Sequence, residues 1–155
     1  MVHDFSRTSQ WCAVAAAIGS AIVWRLGAFS VWGVAPNVML VAILLAAFFV
    51  RDPLLFAWSG AGVLLLAAYA PFFQVEYLLL AAIGVVGFLF ARAFVFERKL
   101  GFFIGAVAIA QVAWWVGVGY GGGIFTISFV LEFLYNAIVA SALFFVVVWL
   151  EETFS

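Results

Sequence analysis

The chain alternates long apolar runs with short polar or glycine-proline breaks, and the breaks define its elements. The runs fall at residues 9–24, 36–50, 54–69, 77–96, 100–118 and 125–150. They end at Arg25, at the corner Arg51-Asp52-Pro53, before "APFFQVE", at Glu97-Arg98-Lys99, at "GYGGG" and at Glu151-Glu152. A membrane-crossing helix needs about 20 largely apolar residues, with a range near 17–25. The pattern therefore predicts an all-α membrane protein, a bundle of about six transmembrane helices in one domain. The second and third runs are short, which leaves re-entrant or thinly spanning segments open for them. Pro36 and Pro53 suit first-turn positions, where the missing N–H is no loss.

Composition fixes the solvent. The chain of 155 residues is 70% hydrophobic and 8% charged, against about 45–50% and about 25% in an average soluble domain. Too little polar surface exists to cover such a molecule in water. The net charge of −1 supplies no basic footprint, so nucleic acid is excluded as a partner. The bilayer is the expected one.

Charge also orients the chain. With six crossings, both termini share a side with the second–third and fourth–fifth connections. That side carries Arg7, Arg51, Arg92, Arg98 and Lys99, and the other carries only Arg25. The positive-inside rule then predicts both termini in the cytoplasm. "GSA" at Gly19 to Ala21 resembles a leader cleavage site. The weakly positive start and the apolar continuation to Trp24 argue against a cleaved leader.

The chemical inventory is small. Cys12 is the only cysteine and His3 the only histidine, so no metal cluster or Cys–His pair is expected. Walker, zincin and Ser–His signatures are missing. "GYGGG" lacks the Lys-Ser/Thr of a phosphate loop and reads as a turn. Asp4 and Asp52 lie in a tail and a corner, which argues against an intramembrane aspartyl protease. No enzymatic activity and no cofactor are expected.

Small and polar residues inside the runs are the candidate contacts. Ala13, Ala17 and Ala21 form a stripe at i, i+4 spacing, Gly101 and Gly105 form GxxxG, and Gly84 and Gly87 stand three apart. Such faces let helices approach closely in lipid. They suit packing within the chain or docking of a partner helix. Gln111 lies mid-run. Glu132 and Asn136 share a face of the last helix, with Glu132 at the outer edge of the apolar core and Asn136 one turn deeper. Gln111 is the nearest polar group for Asn136. A carrier or channel coupled through Glu132 is a further possibility.

"APNVMLVAILLAAFFVRDPLLFAWSGAGVLLL" and "LYNAIVASALFFVVVWLEE" resemble the second, third and last helices of MreD-type rod-shape-determining proteins. The resemblance covers roughly residues 30–152. It implies a non-catalytic scaffold of the bacterial cytoplasmic (inner) membrane, within a cell-shape and peptidoglycan-elongation assembly. Expected partners are MreC-like and RodA-like proteins and penicillin-binding proteins. Pro36, Asn37, Gly60, Gly62 and Asn136 match family-like positions, with packing and partner contact as their implied role. The alternative is a small-molecule-binding membrane subunit of an energy-coupling-factor-type transporter. The Ala13, Ala17, Ala21 stripe resembles the face by which those subunits dock.

Overall fold

A computed structural model describes residues 7–25, 36–68, 74–94, 99–119 and 126–154. His3, Asp4, Trp32, Tyr69, Glu97, Arg98 and all but the first residue of "GYGGG" lie outside that set. Among the described residues there are six helices and no strand: α1 (Arg7–Arg25), α2 (Val38–Phe49), α3 (Pro53–Ala68), α4 (Gln74–Phe94), α5 (Leu100–Gly117) and α6 (Ile127–Phe154).

The helices form a ring of five around one. In the ring α1 touches α3, α3 touches α4, α4 touches α5, α5 touches α6, and α6 returns to α1. Inside it, α2 touches all five. Its sequence, VMLVAILLAAFF, has no polar residue on any face. A helix that is apolar all round must be surrounded, and every residue from Val38 to Val50 is at most 8% exposed. Twelve residues at 1.5 Å each make α2 about 18 Å long, well short of a bilayer's apolar core of about 30 Å. The short second run is thus an interior helix. An enclosed helix of this length fits either the re-entrant or the thinly spanning form expected of the short second run, since protein covers it on every side.

The ring turns apolar residues outward as well as inward. Leu54 and Ile109 are each 73% exposed and Ile127 is 79% exposed. In water such an exterior would be an adhesive patch; in hydrocarbon it is the natural surface. Three helices, α4, α5 and α6, are long and apolar enough to cross a membrane.

Local signals set the ends. Asn37 caps α2, its side chain accepting from the Leu40 N–H at 3.1 Å. Pro36 stands before that cap, two residues ahead of the first helical position, so its expected first-turn place is corrected to one outside the helix. Pro53 opens α3, and Asp52 caps it by accepting from the Leu54 N–H at 2.9 Å. The last helix does not stop at Glu151: it continues to Phe154, with Thr153 donating to the Trp149 carbonyl at 2.8 Å.

Glycines bring α4 onto the centre. A Cβ on Gly84 would lie 2.8 Å from Ile43 Cδ1, and one on Gly87 would lie 2.9 Å from Leu44 Cδ2. Both neighbours belong to α2, which has no freedom to retreat inside the ring. Gly101 is exposed, and a Cβ there meets nothing within 4 Å. Gly84→Leu is therefore expected to cost about 1–3 kcal/mol by overpacking. Gly101→Leu should stay within about 0.5 kcal/mol. Reversible unfolding of the two purified variants in mixed micelles checks the contrast.

Candidate functional site

Two buried amide side chains, Gln111 of α5 and Asn136 of α6, meet on the seam between those helices. These helices are sequential and antiparallel, so each step of four along α5 meets a step of four back along α6. Four rungs follow this register. At one end the Trp115 indole N–H donates to the Glu132 carboxylate at 2.9 Å. One turn on, Asn136 Nδ2 donates to Gln111 Oε1 at 2.9 Å. Val107 and Ala140 occupy the third position and are buried. Phe103 and Phe144 stack at the fourth, with ring centroids 6.1 Å apart. Phe48 and Phe49 of α2 pack edge-on against Phe103 and Phe144, each at 5.4 Å. The seam thus ends in an aromatic cluster that ties it to the central helix.

The amide rung is incomplete. Gln111 and Asn136 are fully buried, yet Gln111 Nε2 and Asn136 Oδ1 have no partner among the described residues. Each buried unpaired polar atom costs about 1–3 kcal/mol, so the single bond returns little net stability. Its contribution is positional. The observed register sets the two amides against each other.

Glu132 lies near the start of α6, half-buried, with Trp115 beside it. Phe129 packs edge-on against the same indole at 5.2 Å. Glu132→Gln keeps an acceptor for the indole and removes a charge from apolar surroundings. Its melting temperature is expected to equal or exceed that of the parent. Glu132→Ala should melt lower, by about 1 kcal/mol of lost hydrogen bonding. Tryptophan fluorescence on heating reads both.

Other polar groups serve their own helices. Ser20 donates to the Ala17 carbonyl at 2.9 Å, Ser59 to Phe56 at 2.9 Å and Ser141 to Ala137 at 2.7 Å. In an apolar medium this is the least costly disposal of a hydroxyl. Gln10 makes a structural contact that the sequence pattern did not single out. Its Oε1 accepts from the backbone N–H groups of Arg51 at 3.0 Å and Asp52 at 3.1 Å. That bond joins the start of α1 to the α2–α3 corner. A glutamine one turn into an apolar helix was the available signal.

The small-residue candidates divide by where they face. Ala13, Ala17 and Ala21 are all fully buried in the bundle, so this stripe offers no outward docking face. Gly62 faces Ile18 of α1, its would-be Cβ 3.5 Å from Cδ1, in ordinary contact. Among the described residues, nothing lies within 4 Å of that position at Gly60, Gly101 or Gly105. Asn37 acts as a local cap.

Two hollows stand apart from the seam. One, of about 340 Å³, is an apolar groove between α4 and α5 with Leu44 among its lining residues. The other, of about 300 Å³, lies between the starts of α1 and α3 and mixes charged, polar and apolar side chains. Among the described residues, no cluster of three or more His, Cys, Asp or Glu is placed to hold a metal ion.

No family model, curated protein or solved structure matches this chain. The geometry of the bundle carries the functional argument.

Proposed function

We propose that this protein is a non-catalytic membrane scaffold, acting in the cell-shape and peptidoglycan-elongation assembly that its likeness to MreD-type sequences implies. One observation carries the reading. The polar side chains along the seam bond across it and the helix hydroxyls bond within their own helices, while the ring presents apolar residues outward. What such a molecule offers a partner is the shape of its helix faces.

In this reading all six helices belong to the membrane domain, both termini lie in the cytoplasm, and the membrane is the bacterial inner membrane. The Gln10 bond to the α2–α3 corner supports the arrangement, since it sets the start of α1 and that corner at one end of the bundle. The excess of Lys and Arg on that side supports the orientation. Partners are the MreC-like, RodA-like and penicillin-binding proteins of the elongation assembly, reached through lateral helix contacts. Gly101 and Gly105, which no described residue packs against at the Cβ position, are the first faces to examine.

Affinity purification of the tagged full chain from native membranes tests the proposal. Co-recovery of an elongation component is the expected result. Recovery of intact protein with no cell-wall component would count decisively against it.

A further inference from the structure

The second hollow lies where α1 begins. Arg7, Gln10 and Trp11 line it from α1, and Asp52 and Leu55 line it from the start of α3. Its frame is fixed by bonds already described. Gln10 Oε1 holds the backbone of Arg51 and Asp52. Asp52 Oδ1 is committed to capping α3, through Leu54 at 2.9 Å and Leu55 at 3.5 Å. One carboxylate is thereby set in a defined place, and no bond among the described residues uses its second oxygen.

Arg7 brings a guanidinium to the same hollow, and among the described residues no ion pair joins it to Asp52. A cation and an anion kept in one hollow without closing on each other match a ligand that carries both charges. Trp11 is 60% exposed, and an exposed indole at a helix end belongs at the level of lipid headgroups. The hollow sits at that level because Arg7, Arg51 and Asp52 mark where the apolar runs stop.

We propose that this hollow binds the headgroup of a zwitterionic phospholipid with a primary amine, of the phosphatidylethanolamine type. Arg7 takes the phosphate, as guanidinium groups do with charge-assisted donors. Asp52 takes the ammonium through its second oxygen. Trp11 and Leu55 meet the glycerol and the first methylenes. A quaternary choline fits less well: it has no N–H to donate to the carboxylate, and its usual aromatic cage is reduced to a single indole. The inference rests on the membrane reading and adds a lipid specificity to it.

The test compares the full chain reconstituted in two kinds of vesicle. One mixes phosphatidylethanolamine with phosphatidylglycerol, and the other replaces the ethanolamine lipid by phosphatidylcholine. Flotation reports membrane integration, and native mass spectrometry after mild extraction reports the retained lipid. Asp52→Asn preserves an N-cap of equal quality while removing the charge, and Arg7→Gln removes the phosphate partner. The parent chain should retain the ethanolamine lipid several-fold over the choline lipid. Asp52→Asn should lose that preference while retaining lipid, and Arg7→Gln should lower retention of both. Equal retention by the parent chain, or a preference unchanged in both variants, would overturn the proposal and leave the membrane reading intact. Failure to float with either vesicle would overturn the membrane reading and this proposal with it.

Discussion

Leu45→Ala lowers the folding stability of the protein by about 2–5 kcal/mol, the range for a buried leucine that leaves a cavity. Ile109→Ala changes it by less than about 0.5 kcal/mol, as at a surface position. Both substitutions shorten a large aliphatic side chain on a membrane-protein helix, and hydropathy treats them alike. They differ in what surrounds the side chain. Leu45 is fully buried on a helix enclosed by five others, so the ring would have to collapse inward to refill the space. Ile109 is 73% exposed on α5, where lipid chains refill the space at once. Unfolding of both variants in mixed micelles gives the comparison. Equal losses would mean that α2 is not enclosed.

The second large effect is one of sign. Gln111→Met alone leaves Asn136 buried with no polar partner, and Asn136→Leu alone strands Gln111. Each single change is expected to cost about 1–3 kcal/mol. The double change removes both polar groups and fills similar volume, so it should unfold close to the parent, and above either single variant. The coupling between the two sites should therefore be close to the sum of the two single losses. A double-mutant cycle measures it directly. Additive losses would mean that the amides do not depend on each other. If the double variant is stable but loses its partners, the rung serves to set the seam's register.

These two cases also mark what the sequence disclosed. The amide rung was legible, since Asn136 needs a partner in an apolar helix and Gln111 is the nearest amide on the antiparallel neighbour. The helix breaks were legible to within a few residues, because charges and prolines punctuate apolar runs sharply. The central place of α2 was not. A run that meets protein on every side and a run that meets lipid on one side are equally apolar, because the hydrocarbon solvent resembles a protein core. The clue was the total absence of a polar or glycine residue from VMLVAILLAAFF, where every ring helix has at least one. The glycines were ambiguous for a related reason. Spacing shows that Gly84 and Gly87, or Gly101 and Gly105, share a face, and only the fold shows which face meets α2. At Pro36 and Asn37 the stronger signal was passed over, since asparagine leads the N-cap preferences and the proline merely precedes it.

The central claim is a lipid-embedded bundle built round a helix that never meets lipid. Its most direct test is a single-cysteine scan of α2 from Val38 to Phe49, in a Cys12→Ala background, with spin labels read for collisions with oxygen dissolved in the bilayer. Val86, Ile109 and Phe145 on the ring serve as exposed references. The account predicts low collision rates at all twelve α2 positions and high rates at the three references. A rise and fall along α2 with a helical period would place one of its faces in lipid and contradict the account.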